Sequence, residues 1–293
     1  MPLIYDAAQR QSGCTFVAVT SHSLAYLFVD PPANLQVLSY DRPGQGVWPV
    51  VRELKRIAPK GVVLDLFPGK ASWTIRGVLW LLGYRVTKAR GLASVRRRIE
   101  KQSRVSSDGS TPGIHLFFAQ TMRRVGMDVG AGAILLRPQP TKCVGMAMGR
   151  DPKGRLCPSD MQIRILRALL VALPEFRVVF YACADSKLPE EGLTSDERSR
   201  IVVCSAVGSD EEIHHVATLG CLIGTDCLSL QLAAMVGVPV VALYLEPQPT
   251  LACRPYRVPR ENCIALPTLE PGQSSEALPS RVVETVRRAL ARE

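Results

Sequence analysis

Short apolar runs bounded by turn residues alternate along this chain with stretches whose apolar residues return every three to four positions. The runs predict strands at Thr15–Thr20, Leu35–Ser39, Gly61–Leu66 and Ala133–Leu136 in the first half. In the second half they predict strands at Cys143–Met148, Val178–Ala182, Arg200–Cys204, Cys221–Gly224, Val240–Tyr244 and Cys263–Leu266. The helical spacing predicts helices over Leu3–Arg10, Trp48–Ile57, Ser72–Leu82, Phe117–Val125, Met161–Leu173, Asp210–Leu219, Leu228–Val236 and Ser280–Ala291. Strands that alternate with helices predict an α/β fold with parallel sheets. The stiff stretch Arg137-Pro138-Gln139-Pro140-Thr141 lies near the midpoint and predicts a boundary between two domains, residues 1–138 and 142–293. Gly91–Gly113, rich in Arg and Ser, reads as a long surface excursion.

The densest pattern is CLIGTDCLSLQLAAMVGVPVVALY, from Cys221 to Tyr244. A buried strand, a turn at Thr225-Asp226, a helix of small residues, a stop at Gly237-Val238-Pro239 and a β-branched strand follow one another closely. That is a compact βαβ unit. The first amides of its helix, near Cys227–Ser229, have no partner within the helix and sit at the positive end of its dipole, a position that suits phosphate. A crossover helix without any ligand would show the same pattern.

Composition narrows the class. Hydrophobic residues make up 47% of 293 residues, which excludes a disordered chain and allows two domains with separate cores. No apolar run approaches the roughly 20 residues that span a bilayer, and MPLIYDAAQRQSG lacks the apolar core of a signal peptide. Nine cysteines without a C-x-x-C pair read as reduced thiols of a cytoplasmic protein, with Cys183, Cys204 and Cys221 as small apolar residues within strands. Four histidines show no zinc spacing, and His214-His215 reads as part of a helix with one ring exposed. The net charge of +10 is partly concentrated in Lys88, Arg90, Arg96, Arg97, Arg98, Lys101 and Arg104. A solvated face, a nucleic-acid surface or a surface for anionic lipid or phosphorylated saccharide would each explain it. No aromatic residue lies within Lys88–Arg104, which argues against stacking on single-stranded nucleic acid.

Gly220–Tyr244 resembles the Asp-Thr-Gly-x-x-His-Leu-Ala-Ala-x-x-Gly-x-Pro-x-Val-Ala-Leu-Phe signature of the ADP-heptose:lipopolysaccharide heptosyltransferases. Asp226, Leu232, Ala233, Ala234, Gly237, Pro239, Val241, Ala242 and Leu243 match it, and Tyr244 stands for Phe. Cys227 replaces Thr, Leu228 replaces Gly and Gln231 replaces His, all at positions that face the ligand in the family. More weakly, Asp65-Leu66-Phe67-Pro68-Gly69-Lys70-Ala71-Ser72 is similar to the family's Asp-Leu-x-Gly-x-x-Arg/Lys-Ser. Gly145–Pro158 is similar to its Gly-x-x-Pro-Gly-Ala…Lys-x-Trp-Pro, with Arg155 at the phosphate-binding Lys and Cys157 at the Trp.

The resemblance implies a GT-B architecture, in which two Rossmann-like parallel-sheet domains face a cleft. It implies inverting, metal-independent transfer of heptose from ADP-heptose to the lipopolysaccharide inner core, without a cofactor, and no Asp-x-Asp motif occurs. Asp226, Cys227, Leu228 and Gln231 would then line the donor site, with Arg155 or Lys153 on the diphosphate and Asp185 or Glu190 on the ribose. Lys70 and Ser72 would meet a phosphate, and Arg96, Arg97 and Arg98 would dock the anionic acceptor at the cytosolic face of the membrane as a peripheral contact. The family opens with a strand and a Gly-Asp turn whose Asp is the expected general base. Pro2 aligns with the Pro that ends that turn, so the first strand and the base are expected to lie before Met1, leaving the N-terminal domain incomplete. Altered ligand positions and the missing base leave a second reading, a degenerate relative that binds nucleotide, glycolipid or protein without turnover.

Overall fold

The computed structural model describes residues 2–40, 46–65, 70–88, 114–130, 140–149, 156–182, 188, 193–205, 210–225, 227–245, 254–255, 258–265 and 277–291. Two compact units result, Met1–Leu135 and Leu136–Glu293. The strand expected at 133–136 and the whole of 91–113 lie outside the described residues.

In the first unit, α1 (Pro2–Arg10) begins with a proline, whose missing N–H costs nothing in a first turn, and it buries Tyr5, Ala7 and Ala8. Strands β1 (Phe16–Thr20) and β2 (Leu35–Ser39) pair in parallel through α2 (His22–Ala25). Helix α3 (Trp48–Ile57) leads to β3 (Val62–Asp65), and α4 (Lys70–Leu81) leads to β4 (Arg85–Lys88), again parallel. Among the described residues, β1–β2 and β3–β4 form separate two-stranded sheets. One core joins α1 and β1 to α5 (Ile114–Arg124) around Tyr5, Phe16, Leu35 and Met122, and a smaller one gathers Val51, Leu79 and Tyr84.

The second unit is a six-stranded sheet in the order β10-β9-β8-β5-β6-β7, every neighbouring pair parallel. Its strands are β5 (Cys143–Ala147), β6 (Arg177–Tyr181), β7 (Ile201–Cys204), β8 (Cys221–Thr225), β9 (Val240–Tyr244) and β10 (Cys263–Ala265). β8 and β9 are buried at every position, as expected of central parallel strands that read CLIGT and VVALY. β7 is the edge, and Cys204 there is half-buried rather than the core residue expected. Cys221 is buried and Cys183 lies outside the described residues.

Helices α6 (Ser159–Ala172) and α10 (Ala277–Leu290) cover one face, packing Ile165, Leu166, Leu169, Val282 and Val286 onto Val144, Met146, Phe180 and Ile223. Each such aliphatic side chain contributes about 1.5–3 kcal/mol on burial. α8 (Asp210–Ala217) and α9 (Leu228–Val236) pack together, and α9 lies against β8 and β9. Gly237 closes α9 at φ 87°, in the left-handed region that glycine enters without steric cost. Arg200 finishes α6 by donating to the Leu170, Leu173 and Phe176 carbonyls at 2.7, 2.8 and 3.0 Å, placing a cation at the negative end of the helix dipole. The short α7 (Ser195–Ser199) opens with a capping box, in which Thr194 Oγ1 accepts from the Glu197 amide and Glu197 accepts from the Thr194 amide.

Candidate functional site

From β5 the chain winds outward through β6 to β7, and from β8 it winds the other way through β9 to β10. The reversal falls between β5 and β8. In an open parallel sheet, loops leaving the carboxyl ends of the strands on either side of such a reversal diverge, and a ligand crevice opens between them. The sequence here places the start of α9 at that point.

Three contacts fix this corner. Thr225, the last residue of β8, donates through Oγ1 to the Gly149 carbonyl beyond β5 at 2.6 Å. The Cys227 thiol donates to the Ala147 carbonyl at 3.7 Å, and the Cys227 amide donates to Thr225 O at 2.6 Å. Gly149 comes so near that a Cβ built on it would stand 3.2 Å from the Cys227 Cβ, so the backbone after β5 lies directly against the cap of α9. In β8, a Cβ on Gly224 would run into the Ala147 carbonyl oxygen, which fixes glycine there.

Cys227 occupies the N-cap with extended backbone, φ −121° and ψ 172°, and its side chain makes no capping bond. An ordinary Ser or Asp cap would supply an acceptor to the first-turn amides. Cys227 does not, and the positive end of the helix dipole at this start favours an anion. Leu228 is exposed and Gln231 is half-buried one turn further on. Cys227, Leu228 and Gln231, anticipated together as donor-binding positions, thus share the first turns of α9.

A buried polar pair supports the same turn from behind. Ser229 Oγ donates to Glu212 Oε1 at 2.6 Å, with Ser229 4% and Glu212 0% exposed. The pair ties the first turn of α8 to the first turn of α9. Sequence reasoning missed it, although a signal was present: Glu212 adjoins Ile213 and precedes Val216 by four, so helical spacing turns its carboxylate to the apolar face. Further along α8, Tyr181 and His215 Nδ1 share a 2.8 Å hydrogen bond, and His214 is exposed. Burial, then the neighbouring Cys204, Glu212 and Cys143, pushes the Tyr181 hydroxyl far up. Cys157, which aligns with the family Trp, is buried at the entrance to α6, and burial first, Asp160 second, pushes its thiol up to about 12. It is a small core residue rather than a nucleophile.

The other anticipated positions fall elsewhere. Lys70 and Ser72 belong to the first turn of α4, after β3. Asp226, Lys153, Arg155, Asp185, Glu190, Arg96, Arg97 and Arg98 lie outside the described residues. Asp6 does not stand in as a base: its carboxylate pairs with Arg10 at 3.1 Å and accepts the Gly130 amide at 2.5 Å, anchoring α1 within the first unit. Among the described residues no cluster of His, Cys, Asp and Glu could hold a metal ion, and no helix is long and apolar enough to cross a membrane.

A doubly wound parallel sheet with a helix starting at its reversal point is one half of a GT-B fold, and the chain as a whole has that fold. Several solved glycosyltransferase structures are similar in fold. The glycosyl transferase family 9 protein from Veillonella parvula DSM 2008 is similar at TM-score 0.65 and 15% identity, over 95% of this chain and 89% of that one. E. coli ADP-heptose lps heptosyltransferase II is similar at TM-score 0.65 and 15% identity, over 99% and 94%. E. coli heptosyltransferase WaaC with ADP is similar at TM-score 0.61 and 14% identity, over 97% and 94%. No protein-family model and no curated protein matches the sequence.

Proposed function

We propose that this chain is a glycosyltransferase that takes its sugar from a nucleotide diphosphate donor, with ADP-heptose as donor and the lipopolysaccharide inner core as acceptor. The observation that carries the reading is the start of α9 at the β5/β8 reversal, held by Thr225, Cys227 and Gly149 and lacking a side-chain cap. Its fold likeness to a heptosyltransferase solved with ADP supports the same reading.

In this proposal the donor diphosphate lies against the α9 amides, with Asp226 orienting the donor. Lys153 or Arg155 offsets the charge that develops on the leaving phosphate, and Arg does so in bidentate fashion. An acceptor hydroxyl attacks the anomeric carbon from the opposite side, its proton passes to a general base, and the nucleoside diphosphate leaves with inversion. Lys70 and Ser72 meet a phosphate of the acceptor or of the donor, and Arg96–Arg98 serve the phosphorylated acceptor.

Calorimetry with ADP tests the site. The protein is expected to bind ADP, and Asp226→Ala to weaken binding at least about tenfold, equivalent to about 1.4 kcal/mol. Unchanged affinity removes Asp226 from the site, and no ADP binding by the wild type refutes the donor reading. A second reading, a binding protein without turnover, draws on Leu228 in place of the motif's Gly and on an Asp6 occupied by Arg10 and Gly130. ADP binding without heptose transfer to a heptose-deficient core acceptor would select it.

A further inference from the structure

On the connection from β9 to β10, Arg254 is half-buried, and its Nε is buried without a hydrogen-bond partner. Among the described residues nothing forms an ion pair or a hydrogen bond with its guanidinium. Other arginines of this unit are engaged: Arg200 donates to three carbonyls, Arg167 pairs with Glu197 and Arg288 with Glu284. The position of Arg254 is held by packing. Pro255, next along, is buried, Val258 is buried too, and the Val258 amide donates to the Pro255 carbonyl at 3.3 Å. The Asn262 amide donates to Pro259 O and its Nδ2 to Val240 O, both at 3.1 Å, which fixes the entry to β10 against the start of β9.

Cys263, the first residue of β10, lies beside that cation. Burial pushes its thiol up to about 11, and Arg254 is the next influence, acting downward ahead of Tyr244. The thiol stays protonated near neutral pH and brings no negative charge to the guanidinium. Exposed Arg260 acts on the thiol in the same sense as Arg254, and exposed Glu261 in the opposite sense, yet Glu261 forms no ion pair with Arg254. Taking a guanidinium partly out of water is costly unless acceptors or an anion replace the water. Its Nε–H and the N–H beside it point along one edge, which receives two oxygens of a single phosphate or carboxylate. A second cation within reach of the same thiol favours phosphate, the more highly charged of the two.

We propose that Arg254, with Arg260 as second cation, forms a phosphate-binding subsite beside the β9–β10 pair of the second unit. It uses no residue assigned to the donor, and its phosphate belongs either to the nucleotide or to a second phosphorylated molecule. The test is the thermal unfolding midpoint of the full chain, followed by far-UV circular dichroism as inorganic phosphate replaces chloride at constant ionic strength. The midpoint is expected to rise with phosphate, because binding to the folded state stabilises it. That rise should vanish in Arg254→Gln and shrink in Arg260→Gln. Without phosphate, Arg254→Gln should be at least as stable as the wild type, since it removes an unpaired charge. Arg254→Lys, which keeps the charge but not the fork, should retain part of the rise, so misfolding of one variant does not decide the matter. A wild-type midpoint insensitive to phosphate, an undiminished rise in Arg254→Gln, or an Arg254→Gln that unfolds earlier than the wild type without phosphate would each overturn the proposal. Calorimetry with ADP then identifies the source. Binding about tenfold weaker in Arg254→Gln assigns the phosphate to the nucleotide, and unchanged affinity assigns it to a second molecule. A wild type that responds to phosphate but does not bind ADP refutes the donor reading and leaves the subsite standing.

Discussion

Replacing Ser229 by Ala removes one hydroxyl from behind the candidate anion site and tests whether the pair with Glu212 holds that site in place. The removed bond is 2.6 Å long, ends on a carboxylate, and lies between residues 4% and 0% exposed. Water cannot replace the lost donor without opening the α8–α9 contact. A hydrogen bond to a charged group contributes about 1.5–3 kcal/mol, and full burial favours the upper half of that range. The space left by one oxygen adds little, so the expected cost is about 2–3 kcal/mol. With a urea slope of about 2 kcal/mol per molar, the midpoint falls by roughly 1 M.

The assay can assign the loss to a unit, because Trp48, Trp73 and Trp80 are the only tryptophans and all belong to the first unit. Far-UV circular dichroism should therefore show an earlier transition that tryptophan emission does not follow. Adding Glu212→Leu should recover part of the loss, since an apolar side chain next to Ile213 and Val216 no longer requires a donor. A midpoint shift below roughly 0.3 M, less than a third of the expected 1 M, or a double variant less stable than Ser229→Ala alone, would refute the argument. ADP affinity should fall in Ser229→Ala as the first turn of α9 loosens.

Gly224→Ala should prevent accumulation of soluble protein, because the new methyl meets the backbone carbonyl of Ala147 between two central strands; normal yield and midpoint would contradict the close approach. At mild alkaline pH a thiol reagent should label Cys14, exposed, before the other described cysteines, while buried Cys157, Cys221 and Cys263 react only on unfolding; mass spectrometry of labelled peptides decides. Burial pushes the Cys157 and Cys263 thiols up to about 12 and about 11, so both stay protonated under those conditions. The Thr194 amide, and then Arg167, hold Glu197 below its ordinary value of 4.5. Its contribution to α7 is therefore complete above pH 4.5 and disappears as pH falls through the lower folded value. Amide exchange over Ser195–Ser199 should rise in that window, and Glu197→Gln should remove the dependence.

Local pattern was enough to place most elements. The helix Leu228–Val236 and the strands Leu35–Ser39 and Val240–Tyr244 have the bounds their sequences predict, because Gly237-Val238-Pro239 and similar turn residues act on their immediate neighbours. The strand Arg85–Lys88 escaped notice: RVTK is short, has a cation at each end, and is held by pairing with Val62–Asp65 rather than by an apolar run of its own. α2 and α7 were missed for a related reason, being single turns of mostly polar residues.

For the site, the amino-acid sequence by itself determined that a helix start follows a buried strand, and that Cys227, Leu228 and Gln231 share its first turns; that Cys227 is an N-cap without a capping bond is seen only in the structure. Which strands flank that start was decided only by the tertiary structure. The order β8-β5-β6 comes from hydrogen bonds between segments far apart in the chain, which no local period records. The same holds for Thr225 reaching Gly149 and for Glu212 finding Ser229, since a polar side chain becomes a structural tie only when packing removes water from around it.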